Sequence, residues 1–242
     1  MVLQVSDRTI TVEEVIPLIS NYSLFPQVLR EIIIEQAIAP IQCSSEEIAT
    51  AYQRFWAQNQ LNSETKRQTW LERHGMTLEQ LEAVVTRELR VEKFKQAKWG
   101  PKLESYFLQR KGQLDKAIYS LIRTHDLGIA KELYFRIQEG EQSFDELARQ
   151  YSQGLEADTG GILGPVALAQ IHPAIARILS ISQPKQLWSP LRIEQWFVII
   201  RLEKFLPAQL DEPMRHRLMN ELFENWLQDK VQLQPISSGQ LF

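Results

Sequence analysis

Apolar positions in the first hundred residues recur three and four apart, the repeat that places side chains on one face of an α-helix. Leu29, Ile32, Ile33 and Ala37 form one such face, opening near Pro26 and stopping before Pro40. Ile48, Tyr52, Phe55 and Trp56 form a second, and Leu81, Val84, Val85 and Leu89 a third. Helix starts are announced by Thr11-Val-Glu-Glu14, Ser44-Ser-Glu-Glu47 and Thr77-Leu-Glu-Gln80, each a hydroxyl three residues before a Glu or Gln. That spacing lets the two side chains satisfy backbone N–H groups that an opening turn leaves without partners. Gly100-Pro101 predicts a break or kink in the helix that Thr77 begins, because proline lacks an N–H and crowds the preceding turn. A short helix with Leu103, Tyr106 and Phe107 then runs to Gly112.

Beyond Gly112 the pattern changes. Ala117-Ile-Tyr-Ser-Leu-Ile122 is short and partly β-branched, which predicts a strand. Ile129, Leu133 and Ile137 return to helical spacing and end at Gly140, a natural helix terminator. Ser143-Phe-Asp-Glu146 opens another helix carrying Phe144, Leu147, Ala148 and Tyr151. A glycine turn, Gly160-Gly-Ile-Leu-Gly164-Pro165, precedes a helical face of Ile171, Ile175, Ile178 and Leu179, and Trp196 to Leu202 reads as a closing strand. A last helix begins near Asp211 with Leu218, Leu222 and Trp226 along one stripe. The expected fold class is α+β. It comprises a helical domain over 1–112, a small unit with a short antiparallel-type sheet over 116–204, and a segment 205–242 whose helix packs on the first domain. The stripe on that last helix needs a buried partner, and the small unit has its own core to fill.

Charge and chemistry narrow the function classes. Among 242 residues, 27 basic and 30 acidic side chains leave a net charge of −3. This supplies no general attraction to nucleic acid or anionic membrane. The lone Cys43 can form no internal disulfide, and the four histidines (His74, His125, His172, His216) show no paired metal-ligand spacing. No metal or cofactor is expected. Cys43, just before a helix start, is either a favoured thiolate or a small buried filler. No basic head followed by an apolar core opens the chain, and no run is long enough to span a bilayer, so neither a secretory leader nor membrane insertion is expected and a cytoplasmic location is the default. Between Arg87 and Lys111 eight basic residues face three acidic ones. Two readings stand: a docking face for an acidic partner, or a solvated helix face with internal pairing.

Residues 116–204 resemble a parvulin-type (PpiC, rotamase) peptidyl-prolyl isomerase domain. The matching features come in order: the opening strand, Gly140 with the helix Ser143-Phe-Asp-Glu-Leu-Ala-Arg-Gln-Tyr-Ser152, the Gly160-Gly-Ile-Leu-Gly164 turn, the start Ile171-His-Pro-Ala-Ile175, and the strand Phe197-Val-Ile-Ile-Arg-Leu202. Residues 1–110 and the helix after Asp211 resemble the helical chaperone part of SurA-like foldases, on helix order and on the opening Val5-Ser-Asp-Arg-Thr-Ile-Thr11.

The resemblance implies a site in which this chain departs from the family. The histidine expected in the first strand is Tyr119, the histidine of the last strand is Val198, and the usual Cys or Asp two residues beyond Tyr151-Ser152 is Gly154. Where family members place Met and Phe, this chain has Ile171 and Ile175, which are either walls of a peptide cleft or core residues. The expected peptide-binding set is Leu163, Ile171, Ile175 and Phe197. Isomerisation needs no acid, base or nucleophile in the strict sense; its barrier of about 18–20 kcal/mol is lost amide resonance. A desolvating cleft lowers it, and each 1.4 kcal/mol or so is tenfold in rate. The resemblance therefore implies a foldase or chaperone that binds unfolded or Pro-containing polypeptide, with weak or lost isomerase activity. The alternative is an adaptor that presents a polypeptide to an export or processing machine.

Overall fold

The computed structural model describes residues 3–5 and 8–233. Ser6 and Asp7 of the opening motif, and 234–242 of the expected C-terminal segment, lie outside the described residues. The chain divides into two compact units, Met1–Leu103 with Arg215–Phe242, and Glu104–Met214.

The first unit opens with a hairpin of β1 (Leu3–Val5) and β2 (Arg8–Ile10). Helices follow: α1 (Val12–Asn21), α2 (Phe25–Ile38), α3 (Ser45–Gln58), α4 (Glu64–His74) and α5 (Leu78–Trp99). The boxes at Ser44 and Thr77 close reciprocally as the spacing predicts. Helix α4 has a polar sequence and a lone Ser63 cap, which is why periodicity does not announce it. A 3₁₀ turn at Gly100–Lys102 marks the break before α6 (Leu103–Leu114). The boundary expected at 112 therefore falls at Leu103, and the rest of α6 belongs to the second unit.

Helix α10 (Glu212–Gln232) enters the first unit through an aromatic cluster. Phe94 lies 5.2 Å and Trp99 6.0 Å from Trp226, and both rings also meet Phe223. Lys95 reaches Asn220 at 2.7 Å, and Arg30 pairs with Glu224 at 2.6 Å. The buried stripe is Leu218, Met219, Phe223 and Leu227, with Leu222 and Trp226 only partly buried. Helical period admits both stripes; packing of Phe223 between Phe94 and Trp99 selects this one. A similar rotation occurs in α2, where Ile33, Ile34 and Ile38 are buried and Ile32 is exposed. Much of the basic stretch is spent on internal pairing. Arg87 binds Glu31 and Glu35, Lys93 binds Glu47, and Lys111 binds Asp115.

The second unit holds β3 (Lys116–Thr124), α7 (Leu127–Gln138), α8 (Phe144–Tyr151), β4 (Ile162–Ala167), α9 (Pro173–Ile181), β5 (Leu187–Ile193) and β6 (Trp196–Leu206). The strands form one antiparallel sheet in the order β4-β3-β6-β5, with Leu121 opposite Ile200 at its centre. Two of these strands carry prolines, Pro165 in β4 and Pro190 in β5, which hides them from a sequence reading. Both lie at sheet edges, where a missing N–H leaves no ladder bond unmade. Each proline also sits beside a register shift.

Period-two alternation gives the sheet two faces. Ile122 and Ile199 point to α7 and α8, packing with Leu133, Phe144, Leu147 and Ala148. Ala117, Tyr119, Leu121, Val198, Ile200 and Leu202 point the other way and pack with Ile175 and Leu179 of α9. Gly161 joins the faces: its φ of +85° carries the chain to where its carbonyl accepts from Leu121 N–H at 2.9 Å, and a Cβ there would lie 2.9 Å from both Leu121 O and Phe144 Cε1.

Candidate functional site

The α9 face of the sheet gathers most of the residues singled out from sequence. Tyr119 lies opposite Leu202 on β6 and Leu163 on β4, while Val198 lies opposite Arg123 on β3 and Leu191 on β5. The positions expected for two histidines thus share a face on neighbouring strands. Leu163, Ile171 and Ile175 pack in the same cluster. Phe197 does not. Adjacent to Val198, it projects to the opposite face beside Thr124 and Ile199, so the expected four-residue set loses one member.

Ile171 also differs from its expected setting. It is extended, with φ −96° and ψ 148°, and precedes the helix rather than lying on it. Proline at the first helical position and His172 as cap move the start of α9 to Pro173; His172 accepts from Ala174 N–H at 3.3 Å. Exposure is small throughout: Tyr119 6%, Val198 4%, Ile171 8% and Ile175 7%. The rim of the cluster is more open, at the partly buried Leu163, Ile178, Leu191 and Trp196. A shallow groove of about 340 Å³ runs past Ile171, Pro173 and Ala176 beside Gly112 and Gln113.

Sequence reading missed a polar group in this site. Arg123 sits two rows along β3 from Tyr119 on the same face, and its guanidinium forks onto Glu156, with Nε donating at 2.8 Å and Nη2 at 2.5 Å. Glu156 is 1% exposed and also accepts from Ser152 Oγ at 2.6 Å. Burial pushes its carboxyl up, but the bonds from Arg123 and Ser152 outweigh this and hold it below the usual carboxylate range. Burial raises the Tyr119 phenol above its ordinary value, the Glu156 charge adds to the rise, and Arg123 opposes it. The guanidinium lies 5.6 Å over the Trp196 ring, which also stacks on the His125 ring 3.8 Å away. The period-two step from Tyr119 to Arg123 was legible in sequence; the partner 33 residues away was not.

The first unit carries a second surface. A groove of about 660 Å³ between α3 and α5 is lined by Ala51, Phe55, Val84, Val85 and Leu89 together with Arg54 and four glutamates, Glu46, Glu47, Glu88 and Glu92. On α2, Phe25, Val28 and Ile32 are exposed. Among the described residues no three His, Cys, Asp or Glu converge as metal ligands, and no helix is long and apolar enough to cross a membrane.

Comparison with known proteins finds similarity over part of the chain. Residues 126–204 match the Rotamase family, described as the PPIC-type PPIASE domain. The match includes Gly154, Leu163, Ile171, Ile175, Phe197 and Val198 and begins after β3, so Tyr119 and Arg123 lie outside it. The chain is 34% identical over 90 residues to the chaperone SurA of Bordetella pertussis, covering 37% of this chain and 17% of that protein. It is 36% identical over the same length to the chaperone SurA of Bordetella parapertussis, again with 37% and 17% covered. This chain therefore spans about a sixth of the length of the curated relatives it matches. The solved structure of the peptidylprolyl isomerase PrsA from Bacillus anthracis aligns over 85% of this chain and 94% of its own, at 20% identity and a TM-score of 0.41.

Proposed function

We propose that this chain, built around a PPIC-type PPIase domain at residues 126–204, is a foldase that holds unfolded or Pro-containing polypeptide and isomerises prolyl bonds weakly or not at all. One observation carries the reading: Tyr119 and Val198, the positions at which the resemblance leads one to expect histidines, share an apolar cluster with Leu163, Ile171 and Ile175. The part of that cluster open to a ligand is its rim at Leu163, Ile178, Leu191 and Trp196, where apolar contact would desolvate a prolyl amide and so lower part of the resonance barrier. The cluster lacks the paired histidines that align the family's site. Polypeptide holding is further supported by the groove between α3 and α5 and by the exposed apolar residues of α2, surfaces suited to extended apolar chain segments.

The deciding experiment is a protease-coupled isomerase assay on a Xaa-Pro peptide, run beside an aggregation assay on an unfolded client. Slowed aggregation with a rate far below that of a histidine-bearing parvulin is the expected pair of results. A rate equal to such a parvulin would remove the chaperone-first reading. A folded protein with neither activity would favour the second reading, an adaptor presenting polypeptide to an export or processing machine. That reading draws on the α3–α5 groove, where Glu46 and Glu88 lie beside apolar residues while Glu47 and Glu92 are paired with Lys93 and Lys95. The cytoplasmic expectation gains no support from the relatives, and fractionation of a tagged protein against compartment markers decides it.

A further inference from the structure

At Gly154 the chain lacks the side chain that the family resemblance leads one to expect, and that space is filled from the neighbouring strand. A Cβ built on Gly154 would lie 2.1 Å from Arg123 Nε and 2.3 Å from Nη2. The guanidinium therefore stands where any side chain at 154 would begin. Its orientation is set by the fork onto Glu156, a geometry that fixes a planar guanidinium more tightly than a single bond would. The bonded edge uses Nε and Nη2; among the described residues Nη1 has no hydrogen-bond partner. The Arg123 side chain keeps 33% of its surface exposed, whereas its carboxylate partner keeps 1%. The donor edge is thus available beside Trp196, on a residue whose backbone is paired across the strands with Val198.

We propose that Arg123, held by Glu156, is the hydrogen-bond donor that grips a backbone carbonyl of the bound Pro-containing segment, in the place vacated at Gly154. The proposal rests on the peptide-holding reading above and assigns its polar contact. Glu156 cancels the charge of the guanidinium, so the free edge presents N–H dipoles suited to a neutral carbonyl rather than a net cation suited to an acidic side chain. Tyr119, on the same face and close enough to feel both charges, forms the neighbouring wall. Glu156 and Ser152 are positioning residues in this scheme, because they fix Arg123.

The test is a titration of the ¹⁵N-labelled full chain with a blocked Ala-Ala-Pro-Phe anilide. It is read on the arginine side-chain Nε–H signals and on backbone amides, with the Arg123 signal assigned by its loss in Arg123→Lys. The expected result is an Arg123 shift that saturates at the same peptide concentration as amides of β3 and β6. Because Arg123→Met alone leaves Glu156 buried without its cation, affinity is compared in the double variant Arg123→Met/Glu156→Gln. That variant, shown folded by its amide spectrum, should bind at least tenfold more weakly. Arg123→Lys, which keeps the charge and loses the fork, should also bind more weakly and stands in if the double variant does not fold. An unmoved Arg123 signal on a protein that binds the peptide, or a folded variant with parental affinity, overturns this proposal alone. A parent that binds no Pro-containing peptide overturns the peptide-holding reading and this proposal with it.

Discussion

Replacing Glu156 by glutamine removes one negative charge from a side chain that is 1% exposed and accepts from Arg123 Nε at 2.8 Å, Arg123 Nη2 at 2.5 Å and Ser152 Oγ at 2.6 Å. Breaking a fully buried ion pair costs about 3–5 kcal/mol because a charge is stranded away from water. Here the stranded partner is a third exposed and can rehydrate, and the amide oxygen keeps one acceptor in place. The working magnitude is therefore lower, about 2 kcal/mol. The pH dependence has a definite sign. The folded carboxyl is held below its unfolded value, so its contribution is present above the unfolded pKa and is lost as pH falls through the folded one. At low pH parent and variant both carry a neutral group there, and the gap should close. Urea unfolding followed on resolved amides of β3 and β6 at pH 7 and at a pH below the folded titration of Glu156, located from its side-chain carboxyl ¹³C signal, measures both numbers, and confines the reading to the second unit. A gap of the same size at both pH values would refute the electrostatic argument. No gap at pH 7 would show that the ion pair contributes nothing.

The other expectations concern packing and the two family histidine positions. Leu218→Ala, at a fully buried position of α10, should cost about 2–5 kcal/mol, read as a lowered denaturant midpoint on amides of α5 and α10. An unchanged midpoint would show that the α10 stripe does not carry the first unit's packing. Gly161→Ala meets both a φ of +85° and two atoms at 2.9 Å, so about 3 kcal/mol of destabilisation is expected, visible as faster hydrogen exchange at Leu121. Tyr119→His with Val198→His should raise the isomerase rate in a protease-coupled assay. Val198 is 4% exposed, so an unpartnered histidine there costs about 1–3 kcal/mol, and a thermal melt must accompany the rate.

Local chemistry carried much of the fold into the sequence. Hydroxyl and Glu or Gln pairs at Ser44, Thr77 and Ser143 specify helix starts, because the bonds they make span only three residues. The same locality made the glycine turn and the order of elements in the second unit legible, and with them the family resemblance. Tyr119, Val198 and Gly154 were singled out from that resemblance by position alone.

What the sequence could not decide depends on partners distant along the chain. Periodicity allows either of two stripes on α10 and on α2, and only the neighbours' shapes select Phe223 over Leu222 and Ile34 over Ile32. The prolines of β4 and β5 argue against strands until the sheet order places both at edges. Phe197 and Val198 are one residue apart, and strand alternation in the assembled sheet sends them to opposite faces. The polar group of the site was hidden for the same reason. A glycine at 154 reads as a loss when seen in one dimension; in three, the guanidinium of Arg123 stands in its space, held by a carboxylate 33 residues along the chain. Short-range hydrogen bonding writes itself into local sequence, whereas the filling of a shared volume is settled only when the elements meet.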